Sequence, residues 1–117
     1  MTYLITGGTG LIGSHVTRLL VQEEERVIIY DINPVRNWMI EGLLAKPGGS
    51  NIDIVQGDVL DLPHLIRTVQ EYKVNKVIHM AALLTSACAA NPLAALRVNC
   101  IGTINILETA RILSIER

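Results

Sequence analysis

The chain has 117 residues, of which 50% are apolar and 18% charged, and this predicts one globular domain, at residues 1–117, and argues against a two-domain enzyme. Ten Lys and Arg residues against 11 Asp and Glu leave no net field to attract nucleic acid or an anionic membrane. The chain shows no basic leader and no apolar run long enough to cross a bilayer, so we expect a cytoplasmic protein with two reduced cysteines.

Strands are predicted where short apolar, β-branched runs occur. The four runs lie at residues 3–6, 26–31, 52–56 and 76–80. Their lack of polar alternation is typical of a parallel sheet that is covered on both faces.

The first two helices follow the first two strands. One begins after a glycine turn, at residue 11, and ends before the Glu23-Glu24-Glu25 run. The other is expected to open at Pro34, with an inward stripe formed by Val35, Trp38, Met39, Leu43 and Leu44.

The third helix has a clear cap and a clear amphipathic pattern. Asp61 is the expected N-cap, with Pro63 in the first turn. Its inward residues are Leu62, Leu65, Ile66, Val69 and Tyr72, and its outward residues are His64, Arg67, Thr68 and Glu71.

A long helical segment is predicted from Pro92 to about Ser114, and it is apolar on more than one face. The residues that keep the helical period are Leu93, Leu96, Cys100, Ile104 and Leu107. Strands and helices that alternate in this way need right-handed crossovers. We therefore expect an α/β protein with three α/β/α layers, Rossmann-like, whose parallel strands lie in the order 3-2-1-4.

The first strand and the first helix are joined by Thr6-Gly7-Gly8-Thr9-Gly10-Leu11-Ile12-Gly13. Gly7 permits a tight turn, Gly10 lets the backbone approach a pyrophosphate, and Gly13 lets the helix pack on the strand. The start of the helix offers free N–H groups to phosphates. With an acid about 20 residues further on, the pattern indicates a dinucleotide site, and a turn that binds nothing is the alternative.

That acid is Asp31, which ends the second strand, and Ile32 beside it is assigned to the same site. The carboxylate is expected to accept hydrogen bonds from the adenosine ribose and to repel a 2′-phosphate, which favours NAD over NADP. Arg36 would meet a 2′-phosphate if Asp31 turned away, although a solvated arginine is the simpler interpretation.

Four motifs in this order resemble the extended short-chain dehydrogenase/reductase family of NAD-dependent epimerases, dehydratases and dehydrogenases. The glycine turn is similar to the TGxxGxxG fingerprint of that family. The other three motifs are Gly57-Asp58-Val59, His79-Met80-Ala81-Ala82 and Val98-Asn99-Cys100-Ile101-Gly102-Thr103. Residues 81–86, 91–92 and 105–108 are similar to L-threonine 3-dehydrogenases and compatible with nucleotide-sugar epimerases, so the subfamily stays open.

The resemblance implies roles for the later motifs. Asp58 would bond the adenine amino group while the Val59 amide contacts the ring, Ala81 and Ala82 would lie along the cofactor, and Asn99 would shape the backbone of the site. The expected cofactor-binding residues are Gly7, Gly10, Leu11, Ile12, Gly13, Asp31, Ile32, Asp58, Val59, Ala81, Ala82 and Asn99. The simpler interpretations are a turn acid at Asp58 and packing residues at Ala81, Ala82 and Asn99.

No catalytic or metal-ligating residue is assigned. The resemblance places a Ser or Thr and a Tyr-x-x-x-Lys pair after a fifth strand, before which this chain is expected to be truncated. Tyr3 and Tyr30 fall in strands, and Tyr72 is not expected to share a helical face with Lys76. His79 is interpreted as a buried core histidine, and both cysteines as inert buried thiols.

Three functions remain open at this point. The chain is expected to be the NAD-binding portion of an NAD-dependent epimerase, dehydratase or dehydrogenase that is not catalytic by itself. The alternatives are a stand-alone dinucleotide-binding or sensory module and an inert fragment. Self-association is expected, either at the unpaired edge of the fourth strand or through the 92–114 helix, which in the family contributes to a dimer-forming bundle.

Overall fold

Four parallel strands form the centre of the protein, in a computed structural model that describes residues 1–34 and 37–115. The strands are β1 (Thr2–Thr6), β2 (Arg26–Asp31), β3 (Ile52–Gln56) and β4 (Lys76–His79). They lie in the order β3-β2-β1-β4, which confirms the predicted order 3-2-1-4. The register runs from Thr2 opposite Arg26 to Thr6 opposite Tyr30 in the central pair.

Six α-helices occur within the described residues. They are α1 (Leu11–Gln22), α2 (Trp38–Leu44), α3 (Leu62–Glu71), α4 (Thr85–Ala90), α5 (Pro92–Leu96) and α6 (Gly102–Ile112). A 3₁₀ turn at Gly49–Asn51 precedes β3, and a π-turn at Arg97–Ile101 joins α5 to α6. None of the helices in residues 1–34 and 37–115 has the length and apolar character needed to cross a membrane.

Both faces of the sheet are buried, as the continuous apolar runs predict. The cluster on one face joins the sheet to α3 and α6, and its members are Leu4, Ile28, Tyr30, Val59, Leu65, Val69, Val74 and Ile106. The cluster on the other face joins it to α2, with α1 packed alongside, and its members are Ile5, Val27, Ile29, Ile40, Leu43 and Ile52. Neighbouring residues of β2 alternate between the two clusters, so the three-layer α/β/α arrangement is confirmed.

Helix α2 begins later than predicted and turns a different set of residues inward. The side-chain oxygen of Asn37 accepts hydrogen bonds from two amides of the first turn, so the helix begins at Trp38. Ile40 and Leu43 are buried, whereas Trp38 is 80% exposed. The inward position predicted for Trp38 is therefore wrong, because the cap sets a different start, and Val35 lies outside the described residues.

Helix α3 has the predicted cap but one unexpected inward residue. The Asp61 carboxylate accepts a hydrogen bond from the His64 amide at 3.0 Å, as an N-cap does. Thr68, predicted to face outward, is buried. Its hydroxyl donates to the His64 carbonyl at 2.9 Å, so the side chain is satisfied within the helix and can face the core.

The segment predicted as one helix from Pro92 is divided by the π-turn and ends its α-helix at Ile112. The periodic residues Leu93, Leu96, Cys100, Ile104 and Leu107 are all exposed. The burial expected of Cys100 is therefore wrong, because the π-turn and α6 turn other residues toward the sheet. The residues that α6 buries are Gly102, Ile106 and Thr109. The buried face of α6 contains small residues that let the helix lie close to the sheet. A Cβ at Gly102 would lie 2.7 Å from a methyl group of Val59, so a glycine is needed for this close approach.

Candidate functional site

A cleft of about 650 Å³ opens at the carboxyl edge of the sheet. Segments that follow all four strands form its walls, as expected where the carboxyl ends of parallel strands meet. Eleven of the twelve predicted binding residues line it, namely Gly7, Gly10, Leu11, Ile12, Gly13, Asp31, Ile32, Asp58, Val59, Ala81 and Ala82. Asn99, the twelfth, does not line it.

The prediction missed several lining residues in the described part of the chain. They are Thr9, Tyr30, Gly57, Met80, Leu83, Leu84 and Val98. Thr9, Gly57, Met80 and Val98 belong to the motifs themselves, and the other three are within a few residues of a motif or of Asp31. Their closeness in sequence to the motifs was the only indication of these residues. Whether a residue lines the cleft depends on where its side chain points, which the sequence does not show.

Two glycines of the turn after β1 are required by the protein itself. Gly7 has φ +67°, and a Cβ there would lie 2.9 Å from the Ala81 amide nitrogen. A Cβ at Gly13 would lie 2.5 Å from the carbonyl oxygen of Gly7. Both contacts involve backbone that cannot withdraw, so these glycines let the start of α1 pack against the turn and the loop after β4.

The third glycine, Gly10, has an ordinary backbone conformation with φ −66° and ψ 171°. A Cβ there would meet only the Gly7 carbonyl oxygen, at 3.3 Å, and Gly10 borders the cleft. The backbone conformation does not demand a glycine at this position, and a Cβ 3.3 Å from a carbonyl oxygen would make one tight contact. The missing side chain instead leaves space where a ligand can approach the backbone.

The start of α1 is free to bind an anion. No side chain caps it, and among residues 1–34 and 37–115 no acceptor lies within hydrogen-bond reach of the Leu11, Ile12 and Gly13 amides. These residues line the cleft. Uncapped amides and the helix dipole together favour a phosphate group at this position.

Asp31 lies at the end of β2 on the cleft wall. Its Oδ2 atom accepts from the amide and the hydroxyl of Thr9, at 3.2 and 2.8 Å, and its Oδ1 atom accepts from the Asn33 amide at 3.2 Å. A carboxylate has about four acceptor positions, so one remains for a ligand hydroxyl. Arg36, the alternative contact for a 2′-phosphate, lies outside the described residues.

Asp58 combines a turn role with a place on the cleft wall. Its Oδ1 atom accepts from the Leu60 amide at 2.9 Å, which makes an Asx-turn after β3. The residue also lines the cleft beside Val59. Because Oδ1 holds the turn, Oδ2 is the carboxylate atom available to a ligand.

Tyr30 forms part of the floor of the cleft. Its hydroxyl lies 3.2 Å from the Asp58 carbonyl oxygen and 3.0 Å from His64 Nδ1. Burial first, then the neighbouring Asp61 and Asp58 carboxylates, raises the pKa of Tyr30 to about 12. The phenol therefore stays protonated near neutral pH and acts as a hydrogen-bond donor rather than a base.

His79 lies between β1 and α6 rather than at the cleft. Its Nδ1 atom is 2.7 Å from the Thr6 hydroxyl and its Nε2 atom is 3.1 Å from the Thr103 hydroxyl. Burial lowers the pKa of His79. Both ring nitrogens have partners, so this is a hydrogen-bonded histidine that is partly rather than fully buried. No three potential metal ligands cluster in the part of the chain that the structure describes.

Asn99 acts on the backbone of the loop after β4. From the π-turn it accepts a hydrogen bond from the Leu83 amide at 2.8 Å and donates to the Leu83 carbonyl at 3.0 Å. The Cys88 thiol donates to the same carbonyl at 3.1 Å. Since Leu83 lines the cleft, Asn99 holds a wall of the cleft without touching its interior.

Tyr72 and Lys76 have the spacing of a Tyr-x-x-x-Lys pair but not its placement. Helix α3 ends at Glu71, Lys73 has φ +52°, and Lys76 begins β4. The pair therefore does not share a helix, and it lies at the amino edge of the sheet, opposite the cleft. The reason it fails as a catalytic pair is this placement, not the spacing of the two residues.

Comparisons with known proteins agree with this geometry. The sequence profile of the GDP-mannose 4,6 dehydratase family matches residues 4–117. The chain is 40% identical over 83 residues to a UDP-glucose 4-epimerase of Neisseria gonorrhoeae, which covers 71% of this chain and 25% of that protein. It is 36% identical over 118 residues to an uncharacterized membrane protein of Methanocaldococcus jannaschii, which covers 99% of this chain and 34% of that protein.

A solved structure of an epimerase has the same fold as this chain. The UDP-glucose-4-epimerase from Stenotrophomonas maltophila, with bound NAD and formylated UDP-arabinopyranose, superposes with a TM-score of 0.87 and 30% identity, over 99% of this chain and 35% of that one. The chain spans about a third or less of the length of these relatives. It belongs to the GDP-mannose 4,6 dehydratase family and has the Rossmann-like fold of the NAD-dependent epimerases and dehydratases of short-chain dehydrogenase/reductase type.

Proposed function

We propose that this chain is the NAD-binding portion of an NAD-dependent epimerase, dehydratase or dehydrogenase. The observation that carries the proposal is that Gly10, whose backbone conformation does not require a glycine, borders the cleft at the uncapped start of α1. The resemblance to an epimerase solved with bound NAD supports it.

The proposed orientation of NAD follows from the order of groups along the cleft. The pyrophosphate would lie at the Leu11 and Ile12 amides, because these are the free donors at the helix start. The adenosine ribose would meet Asp31, and the adenine would lie between Asp58 and the Val59 amide. The rest of the cofactor would extend along the loop that contains Ala81 and Ala82, where small side chains leave room.

The proposal names NAD rather than NADP. Asp31 is held on the cleft wall by Thr9 and Asn33, so its negative charge faces the region proposed for the ribose. A 2′-phosphate would bring a like charge close to that carboxylate, whereas a 2′-hydroxyl would donate a hydrogen bond to it.

We further propose that turnover needs residues beyond those of this chain. Bound NAD supplies a hydride acceptor, and the residues of the cleft bind and orient it. Tyr30 and His79 already have hydrogen-bond partners within the fold, and Tyr72 lies at the opposite edge. The proton-transfer groups would come from a further segment or from another chain, and UDP-glucose 4-epimerases among the relatives favour a nucleotide sugar as the substrate.

Self-association is part of the proposal. The exposed periodic residues of α5, the π-turn and α6 form one apolar stripe, made of Leu93, Leu96, Cys100, Ile104 and Leu107. The second surface is β4, which pairs only with β1 among the described residues. A cytoplasmic location also remains part of the proposal, since Cys88 and Cys100 are free thiols.

Calorimetric titration with NAD, NADH, NADP and ADP tests the binding function. We expect NAD to bind in the micromolar range, ADP to retain much of that affinity, and NADP to bind at least about tenfold more weakly. Micromolar binding of NAD by the chain alone would also be compatible with a stand-alone sensor. No saturation at millimolar ligand would overturn the proposal and leave the inert fragment.

A further inference from the structure

Thr9 occupies one of the positions that the TGxxGxxG fingerprint leaves unspecified, yet three of its polar atoms are engaged. Its amide and hydroxyl both donate to Asp31 Oδ2, at 3.2 and 2.8 Å. Its carbonyl oxygen accepts from Asn37 Nδ2 at 2.9 Å and from the Ser14 hydroxyl at 3.4 Å. Thr9 therefore connects the glycine turn to the end of β2 and to the start of α2.

The two hydrogen bonds from Thr9 restrict the carboxylate of Asp31. Both converge on one oxygen, while the Asn33 amide holds the other oxygen at 3.2 Å. Donors on both oxygens resist rotation of the carboxylate plane, which is otherwise a broad torsion in aspartate. The remaining acceptor position is thereby held in one direction on the cleft wall.

Asn37 holds Thr9 while it serves a separate structural role. Its side-chain oxygen caps α2, and its amide nitrogen donates to the Thr9 carbonyl and, at 3.2 Å, to the Ser14 hydroxyl. The two ends of this one side chain thus bind different elements. A substitution can remove the amide donor and keep a capping oxygen.

We propose that Thr9 is a positioning residue that directs the Asp31 carboxylate toward the ribose of an adenine nucleotide, and that Asn37 holds Thr9 in place for this purpose. The inference rests on the proposed binding function and assigns its ribose specificity to two residues outside the fingerprint glycines. A carboxylate held in one direction discriminates strongly between a ligand with a 2′-hydroxyl and a ligand without one. Without the hydroxyl bond at 2.8 Å, Oδ2 keeps only the longer amide bond at 3.2 Å, and a carboxylate held this loosely discriminates weakly.

The test compares ADP with 2′-deoxy-ADP by calorimetry, in the unsubstituted protein and in Thr9→Val and Thr9→Ser variants. Valine has nearly the shape of threonine without the hydroxyl, and serine keeps the hydroxyl. We expect the unsubstituted protein and Thr9→Ser to bind ADP about tenfold more tightly than 2′-deoxy-ADP, and Thr9→Val to show a ratio of about threefold or less. A purely structural role would weaken both ligands equally and leave the ratio unchanged.

Asn37→Ser provides a second variant that does not alter Thr9. Serine is a good N-cap, so α2 is retained while the donor to the Thr9 carbonyl is lost. We expect its ratio of ADP affinity to 2′-deoxy-ADP affinity to fall, as in Thr9→Val. If circular dichroism shows that Thr9→Val does not fold, the ratio measured for Asn37→Ser tests the inference instead.

Each other outcome has a defined meaning. If folded Thr9→Val keeps the ratio of the unsubstituted protein, or if Thr9→Ser loses it as Thr9→Val does, the inference is overturned while the binding function stands. If the unsubstituted protein shows no saturable binding of ADP, the proposed function fails and the inference fails with it.

Discussion

The Nδ1 atom of His79 accepts the hydroxyl hydrogen of Thr6 across 2.7 Å. This direction follows because the Thr6 oxygen already accepts from the Met80 and Ala81 amides, at 3.1 and 3.2 Å. Nε2 must then carry the ring proton and donate to Thr103, whose own hydroxyl hydrogen goes to the Asn99 carbonyl at 2.7 Å. The chain of hydrogen bonds is complete only with a neutral imidazole.

Acid should therefore weaken the fold through His79. Burial lowers the pKa of His79 in the folded state below its ordinary value of 6.5, so the unfolded state binds the proton more readily. The stability contributed by the neutral ring is complete above about pH 6.5 and is lost as the pH falls from there through the folded pKa. Urea unfolding at a series of pH values should show this loss, and His79→Gln, which keeps a donor and an acceptor, should show less of it. An identical pH profile in both proteins would contradict the prediction.

Tyr30 should make the fold less stable as the pH rises into the alkaline range, the opposite of the effect of His79. Its folded pKa of about 12 exceeds the ordinary 10.0, so the protonated phenol stabilises the fold fully below about pH 10, and this contribution is lost as the pH rises toward 12. Tyr30→Phe leaves His64 Nδ1 and the Asp58 carbonyl without their partner, so we expect a cost of about 1–3 kcal/mol near pH 8. Above about pH 10 the difference between the two proteins should narrow. A constant difference across this range would show that folding does not raise the pKa of Tyr30.

Substitution of Gly10 should separate binding from stability. Alanine at this position meets only the Gly7 carbonyl oxygen, so we expect the free energy of unfolding to fall by less than about 1 kcal/mol. The added methyl group borders the cleft beside the helix start, and NAD affinity should fall at least about tenfold. Calorimetry and chemical denaturation on the same sample measure both quantities. Unchanged NAD affinity in a folded Gly10→Ala protein would contradict the proposed position of the pyrophosphate.

Gly13→Ala and Gly42→Ala should change the free energy of unfolding in opposite directions. Alanine at Gly13 would press on the backbone of Gly7 and Gly8, with the nearest atom at 2.5 Å, and we expect a loss of about 1–3 kcal/mol. Gly42 lies inside α2, where an added Cβ meets nothing within 4 Å, so alanine should stabilise by about 0.5–1 kcal/mol. Urea denaturation of both variants provides the measurement. A stabilising Gly13→Ala would show that the turn is less closely packed than the structure indicates.

The apolar stripe of α5, the π-turn and α6 should drive self-association if it is an interface. Leu96 and Leu107 are 57% and 62% exposed, so a charged residue at either position costs the monomer little. We expect Leu96→Lys with Leu107→Glu to shift the protein toward the monomer in light scattering, with unfolding free energy within about 0.5 kcal/mol. If the association persists in this variant, the free edge of β4 is the favoured surface. A strict monomer at high concentration in the unsubstituted protein would exclude both surfaces.

The strands and their order could be predicted from sequence because burial on both faces leaves a continuous apolar run, as at Val27–Tyr30. The helix faces were harder to predict wherever two stripes compete. In α6 the periodic residues Ile104 and Leu107 are exposed. The buried face is made by Gly102, Ile106 and Thr109, whose small or polar members carry little hydrophobic signal. Helix α4 was missed because Thr85–Ala90 consists of small residues and buries none of them.

In the candidate site, too, one part could be predicted from the sequence and another could not. The motif residues could be predicted because glycines at fixed spacing between a strand and a helix, followed by an acid, are together specific for dinucleotide binding. The contacts between Thr9, Asp31 and Asn37 could not, since they join positions 22 and 28 residues apart through side chains whose directions the sequence does not record.

Tyr30 belongs both to the apolar core and to the floor of the cleft. Its ring packs against Gly57, where no side chain could fit, and its hydroxyl is held from below by His64. Tyr30 is fully buried, and it supports from within the Gly57-Asp58 segment that lines the cleft. This surface is already ordered in the folded protein before a ligand binds. Binding therefore carries no further entropy cost for ordering the floor of the cleft.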